Sequence, residues 1–265
     1  MDHRIREILK ARGVSSAMSS EEWLQHKVDL YNAKDGELTG YDCPKCLNKG
    51  HRLEVRNGSE TYIECSCLEI RRNLRLIEES GIKNMMDDYT FDHFEVSTDW
   101  QRHMFDRAKA YAADPTGWFF AGGQVGSGKS HICTAIVGEL LNKGIATKYC
   151  LWREESTRLK GLVNEDEYDG EIKKYKTIPC LYIDDFFKVK QGAQVTPADV
   201  NLAFEILNYR YNNRMLTVIS SEKTISEIME IDEATGSRIY QMSADYLLNI
   251  GIDKNKNYRM RRRNK

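Results

Sequence analysis

The chain has 265 residues, 41% hydrophobic and 30% charged, with a formal net charge of −1. This describes a soluble globular protein with room for one substantial domain and a small one, and excludes a protein that binds polyanions through its overall charge. No apolar run is long enough to cross a bilayer, and no apolar h-region follows Met1-Asp2-His3-Arg4-Ile5-Arg6, so the expected compartment is the cytoplasm, where disulfides are not expected.

Residues 1–34 read as two helices. Ile5, Ile8 and Leu9 share a face of the first. Ser19 with Glu22 is a capping-box signature ahead of the second, in which Leu24, Val28 and Tyr31 fall at helical spacing beside Trp23. A helix pair this short must pack on its own neighbour domain or on a partner. Cys43-Pro44-Lys45-Cys46 is a tight knuckle, and Cys65-Ser66-Cys67 follows it. Leu53, Val55, Tyr62 and Ile63 predict a hairpin between the pairs, with Asn57-Gly58 at its tip. Four thiolates in this arrangement suit a structural, tetrahedral Zn²⁺ site, and His51 is an alternative fourth ligand because the second pair is spaced C-x-C. Cys133, Cys150 and Cys180 fall in apolar patterns, as small core residues. Residues 68–80 read as a basic, solvated helix carrying Arg71, Arg72 and Arg75 and capped by Gly81. Residues 81–95 read as a link. The expected division is a first domain over 1–84, helical with a zinc-ribbon-like module, and a second over 85–265.

Within the second domain, Gly123-Gln124-Val125-Gly126-Ser127-Gly128-Lys129-Ser130 fits the phosphate-loop pattern without departure. The apolar run Trp118-Phe119-Phe120-Ala121 precedes it, and a helix bearing Ile132, Cys133, Ile136, Val137 and Leu140 follows. Strand, glycine loop and helix together aim backbone N–H groups and a positive helix end at one point, the arrangement that binds a nucleoside triphosphate. Lys129 is expected on the β and γ phosphates and Ser130 on Mg²⁺. Strands are predicted at 117–121, 146–151, 179–184, 216–220 and 245–249. An amphipathic helix through Val200, Ala203, Phe204, Leu207 and Tyr211 starts at Thr196-Pro197. Alternating strand and helix predict an α/β fold, a parallel sheet with helices on both faces. Cys180-Leu181-Tyr182-Ile183 ends in Asp184-Asp185, which places Asp184 beside Mg²⁺ and makes Asp185 the candidate base.

The order of 123–130, Asp184-Asp185, Thr217-Val218-Ile219-Ser220-Ser221-Glu222 and Gly236-Ser237-Arg238-Ile239 resembles the AAA+ ATPases of the DnaC/DnaI helicase-loader group, to which the IstB transposition ATPases are related. The resemblance covers 85–265 and extends more loosely to the cysteine module, which is similar to the zinc-containing region of DnaI-type loaders. It implies a sensor-one position on the strand at 216–220, where the family commonly has a neutral polar residue and this chain has Glu222, with Ser221 as the substitute candidate. Arg238 matches the arginine finger that reaches a neighbouring subunit's γ-phosphate, and Tyr258-Arg259 resembles the sensor-two arginine. Too few residues follow for a full helical lid. The resemblance further implies single-stranded DNA as a ligand, with Lys173, Lys174, Lys176, Lys188 and Lys190, or the tail Arg259, Arg261, Arg262, Arg263 and Lys265, as candidate phosphate contacts.

The expected function is therefore an ATP-, Mg²⁺- and Zn²⁺-dependent loader of a replicative DNA helicase that releases it on nucleotide turnover, working as a homo-oligomer or in complex with the helicase. An IstB-like transposition helper, a nucleotide-binding adaptor without turnover and a chaperone-like ATPase are the competing expectations.

Overall fold

Ser19 and Glu22 bond each other's backbone amides, and the helix they start, α1, runs Ser20–Asn32. It is the first element described: the computed structural model of this protein describes residues 19–79, 83–190 and 192–260. The first of the two helices expected within 1–34, the Gly81 cap and the tail residues Arg261, Arg262, Arg263 and Lys265 lie outside the described residues. The chain divides into two units, Met1–Arg71 and Arg72–Lys265.

In the first unit α1 lies on a hairpin of β1 (His51–Arg56) and β2 (Ser59–Glu64). The strands pair antiparallel from His51↔Glu64 to Arg56↔Ser59. Asn57 and Gly58 both take positive φ, the primed turn whose twist matches that of the strands. Val28 is buried beneath α1, and the Asn32 amide bonds both the carbonyl and the N–H of Leu53 at 2.9 and 3.0 Å. Not every residue of the predicted basic helix is solvated: on α2 (Cys67–Glu79) Ile70 is buried, and Arg71 donates to the Tyr41 carbonyl at 2.6 Å and to Asn48 Oδ1 at 2.9 Å.

In the second unit the expected link holds a short helix, α3 (Lys83–Asp88). Then come α4 (Asp99–Ala113), β3 (Trp118–Gly123), α5 (Lys129–Asn142), β4 (Thr147–Leu151), α6 (Trp152–Gly161) and α7 (Tyr168–Thr177). The chain closes with β5 (Cys180–Asp184), α8 (Pro197–Asn212), β6 (Leu216–Ser221), α9 (Ile225–Ile231), α10 (Glu233–Met242) and β7 (Leu247–Ile250). The sheet runs β4-β5-β6-β3-β7, and every pairing in it is parallel. All residues of β3 and β5 are buried, as they must be in a parallel sheet covered by helices on both faces. Trp118, Phe120, Leu181, Ile183 and Ile219 belong to the main core, with Trp152 set edge-on to Phe186 and Phe187. Cys133, Cys150 and Cys180 are buried, as the apolar pattern predicts.

Arg210 is the largest of the charged side chains buried in the interior. It is wholly buried, and its guanidinium bonds Thr217 Oγ1 at 3.0 Å and the carbonyls of Tyr175, Lys176, Ile178, Pro179 and Leu216. Three of those carbonyls belong to the last turn of α7 and the residue beyond it, where the negative end of the helix dipole favours a cation.

Candidate nucleotide site and metal centre

The carboxyl ends of β3, β5 and β6 meet at one edge, and the motif residues sit on those ends. β3 runs into the glycine loop at Gly123, whose φ of 101° only glycine adopts without strain. A Cβ there would also run into the Ile250 carbonyl. Gly128, at φ 91°, is the N-cap of α5, and the helix begins with Lys129. The loop thus delivers Lys129 and Ser130 in the first turn, at the positive end of the helix.

Lys129 is only 7% exposed, and its ammonium folds back onto the carbonyls of Gly123 at 2.8 Å and Gln124 at 2.6 Å. Burial pulls its pKa down to about 8, while the Glu222 and Asp185 carboxylates pull it up. The charge of Arg259, whose short 3-10 turn is Tyr258–Met260, acts on it in the same direction as burial. Ser130 Oγ donates to Asp184 Oδ1 at 3.0 Å across the sheet edge. The hydroxyl and the carboxylate needed for Mg²⁺ are therefore already neighbours, and the donor set is the hard oxygen pair that this ion prefers. Asp184 is 4% exposed and held from several sides. Tyr149 OH donates to its Oδ2 at 3.1 Å, Ser220 Oγ donates to its Oδ1, and the Asp185 N–H reaches Oδ1 at 3.2 Å.

Sequence reasoning misses Tyr149 and Ser220 as holders of Asp184. Ser220 carries a signal, since it lies within the Thr217–Glu222 stretch and sheet order places β6 between β3 and β5. Tyr149 carries none, because only the pairing of β4 with β5 brings it there. Ser221, the substitute for the sensor residue, turns elsewhere: its hydroxyl donates to the Phe186 carbonyl at 2.7 Å and accepts the Lys223 N–H. Glu222 is near enough for its charge to act on the loop lysine, and it is ion-paired with Lys188 at 2.8 Å. Lys188 also pairs with Asp185 at 2.9 Å, which removes it from the free phosphate contacts that the sequence offers. Arg238 lies on α10 against α8. It donates to Asn208 Oδ1 at 3.1 Å and to the Ala234 carbonyl at 2.7 Å, and it stacks over Phe204 and Tyr211. The structure thus gathers Lys129, Ser130, Asp184, Asp185 and Arg259 at one edge and sets Arg238 on a helix face outside that cluster.

The segment after β7 returns to the loop. Gln124 N–H donates to the Ile250 carbonyl at 2.9 Å, Gln124 Oε1 accepts from Asp253 N–H at 2.9 Å, and Tyr258 N–H donates to the Gly126 carbonyl at 2.7 Å.

The first unit holds the other candidate centre. Cys43, Cys46, Cys65 and Cys67 are all buried, and their four sulfurs lie within 4.8 Å of one another. Sγ–Sγ separations of 3.6 Å (Cys43–Cys65) and 3.5 Å (Cys46–Cys67) are far too long for a disulfide. They approach the roughly 3.8 Å edge of a tetrahedron with 2.3 Å zinc–sulfur bonds. The knuckle turns through positive φ at Leu47, Asn48 and Gly50, and Asn48 Oδ1 accepts the Cys43 N–H at 2.9 Å. Gly50 N–H donates to Cys46 Sγ at 3.3 Å, which helps to bring that thiol down to about 7 against burial. The Cys67 thiol is pushed up to about 12 by burial and its neighbouring thiols. His51, the alternative ligand, bonds Tyr31 OH instead, so the donor set is four sulfurs.

Comparison with known proteins agrees with this geometry. The family described as Bacterial DnaA ATPase domain matches residues 85–243, more than half of the chain. The phage-like element PBSX protein XkdC of Bacillus subtilis (strain 168) is 32% identical over 227 residues, 82% of this chain and 85% of that protein. A crystal structure of the DnaC helicase loader superposes with a TM-score of 0.53 and 18% identity, over 63% of this chain and 97% of that one. Replication initiator DnaA, bound to AMPPCP and single-stranded DNA, does so with a TM-score of 0.51 and 20% identity over 64% of this chain. The matched part spans 51% of that DnaA chain, so the likeness is to its ATPase fold. Phosphate loop, paired acids, sheet order and the 85–243 match together place this chain in the bacterial DnaA ATPase-domain family, as an AAA+ ATPase with the fold of the DnaC and DnaI proteins.

Proposed function

We propose that the chain is an ATP-dependent loader of a replicative DNA helicase, with single-stranded DNA as a second ligand. The observation that carries this reading is the Ser130–Asp184 hydrogen bond beside Lys129, which forms a prepared Mg²⁺–triphosphate site. The loader-like fold around that site supports it. ATP supplies the phosphoryl group that is transferred to water, and Mg²⁺ supplies positive charge against its oxygens. Lys129 and the loop of Gly123, Gln124, Val125, Gly126, Ser127 and Gly128 hold the phosphates, and Ser130 with Asp184 holds the ion. Asp185 takes the proton of the attacking water. Arg259 adds charge from the C-terminal side, and Arg238, clamped on the α8–α10 face, serves the site of a neighbouring subunit in an oligomer or a helicase complex. Residues 1–84 form the helicase-interaction and zinc-binding domain, residues 85–265 form the ATPase domain without a full lid, and the cytoplasm is the site of action. Zn²⁺ on Cys43, Cys46, Cys65 and Cys67 is structural, since four protein ligands leave no open position.

Affinity capture with the full chain, with and without ATP and Mg²⁺, tests this reading. Recovery of a replicative helicase in a nucleotide-dependent manner is the expected result, whereas recovery of a transposase would move the chain to the transposition helpers. Lys129→Ala should fold and lose ATP binding; retained affinity in calorimetry refutes the site.

A further inference from the structure

Lys188 joins two carboxylates at the far end of the nucleotide site. Its ammonium lies 2.9 Å from Asp185 Oδ2 and 2.8 Å from Glu222 Oε1. The joint is built into the backbone. Asp185 and Phe187 both take positive φ, at 54° and 57°, and the Lys188 N–H closes onto the Asp185 carbonyl at 2.9 Å. Non-glycine residues enter that region at some energetic cost, so the tight turn that sends Lys188 back over Asp185 is held by its surroundings.

Glu222 is equally determined by the sheet. Ser221 pairs with Gly122, so residue 222 is the first beyond β6 and falls beside the start of the phosphate loop. The next carbonyl, that of Lys223, packs on Gly122 so closely that no side chain would fit there. The Glu222 and Asp185 carboxylates both pull the Lys129 pKa up against burial. Asp184 already has Ser130, Ser220 and Tyr149 as donors. Among the described residues, the ion pairs of Asp185 and Glu222 are both made with Lys188. A terminal phosphate facing Lys129 would meet both of these acids, and two like charges at such range disfavour it unless a cation stays with them. A diphosphate ends one group short and meets them less.

We propose that Lys188 is a charge-compensating positioning residue: by neutralising Glu222 and Asp185 together, it makes a site with an acid at position 222 compatible with a triphosphate, and so sets the preference for ATP over ADP. This rests on the nucleotide-site reading above and adds a discrimination that the phosphate loop alone does not give.

The test is a double-mutant cycle on the full chain. Affinities for a non-hydrolysable ATP analogue and for ADP, each with Mg²⁺, are measured for wild type, Lys188→Met, Glu222→Gln and the double variant, with melting curves to confirm folding. Lys188→Met should weaken analogue binding about tenfold and ADP binding by no more than about twofold, because only the longer ligand reaches the exposed carboxylates. The double variant should regain part of the wild-type ratio, since Glu222 no longer needs its partner while Asp185 still does. Equal losses for both nucleotides, or a double variant no better than Lys188→Met, would overturn the proposal. If Lys188→Met does not fold, Glu222→Gln alone decides: the analogue-to-ADP preference should rise severalfold, and an unchanged or lower preference refutes the assignment. Wild-type chain that binds neither nucleotide would instead overturn the nucleotide-site reading on which the proposal rests.

Discussion

Ser220 and Ser221 are adjacent, equally buried and both hydrogen-bonded, yet substituting them should have different consequences. Ser220 Oγ donates to Asp184 Oδ1 and accepts the Asp185 N–H at 3.1 Å, so it orients both acids. Ser221 bonds only backbone, at Phe186 and Lys223. When Ser130 turns its hydroxyl toward a metal ion, Asp184 Oδ1 keeps Ser220 and the Asp185 amide as its holders. A hydrogen bond to a charged group contributes about 1.5–3 kcal/mol, and losing an outer partner of a metal ligand weakens metal affinity about 10- to 100-fold. At about 1.4 kcal/mol per factor of ten, the two ranges overlap, so Ser220→Ala should lose about 10- to 100-fold in Mg²⁺-supported ATP affinity. Affinity measured in chelator, without Mg²⁺, should fall by less than about threefold, because the phosphate loop is untouched. Ser221→Ala leaves buried backbone groups without a partner and should destabilise the fold by about 1–3 kcal/mol with the Mg²⁺ dependence intact. Isothermal titration with and without Mg²⁺, alongside urea melts, separates the two. Equal Mg²⁺ dependence in both variants would refute the idea that Ser220 acts through Asp184.

Other parts of the chain are tested in the same way. Arg210→Met should be among the most damaging single changes. It leaves several buried carbonyls unpaired at about 1–3 kcal/mol each, so a thermal melt should fall by more than about 6 °C. Arg210→Lys should restore little, since one ammonium cannot span acceptors on α7, its following loop and β6. Metal analysis should find one zinc per chain. A strong chelator should release it and expose four reactive thiols in the first unit while ATP binding by the second persists; full folding without metal would refute a structural zinc. Asp199 accepts from Lys160 at 2.5 Å and from the Thr196 hydroxyl at 2.6 Å. Burial raises its carboxyl, but these bonds outweigh it and hold the group below its ordinary 3.8. A depressed carboxylate stabilises the fold above the unfolded-state value, and that contribution disappears as pH falls through the folded one. Asp199→Asn should therefore be less stable than wild type by about 1 kcal/mol at pH 7, with the gap closing only below about pH 4 in urea midpoints.

Much of the site was legible because its chemistry depends on local order. The phosphate loop is contiguous, and the paired acids end an apolar strand, so both announce themselves without a fold. The four cysteines pointed to a metal site despite the irregular C-x-C spacing of the second pair, and four sulfurs do converge. What the chain did not reveal depends on long-range pairing or on unusual backbone. Tyr149 reaches Asp184 only because β4 lies beside β5, and no local pattern marks a tyrosine for that role. Lys188 resembles any solvated lysine until two left-handed residues fold it back over Asp185. His51 was an open candidate for zinc because sequence cannot show that Tyr31, twenty positions earlier, takes its ring nitrogen. The six residues of α3 are too few for apolar periodicity to show, which is why that stretch read as a link.

Sheet order explains why these elements belong to one device. In the sequence, β6 follows both chemical strands, but in space it is inserted between them, so its carboxyl end must present a residue to each side. Ser220 bonds Asp184 at the end of β5; Glu222, two steps on, follows the residue that pairs with Gly122 at the end of β3. On the other flank of β3, the segment after β7 bonds Gln124 and Gly126, the same loop whose first two carbonyls hold the Lys129 ammonium. A triphosphate must draw Lys129 off those carbonyls, and the loop it leaves is tied to β6 neighbours on one side and to the C-terminal segment on the other. On the proposed reading, a bound triphosphate therefore acts in two places: at the acids bridged by Lys188 and at the turn carrying Arg259. Under the proposed loader function these are the places to look for contacts that differ between nucleotide states, since the free-energy difference between holding and releasing a partner must come from such contacts.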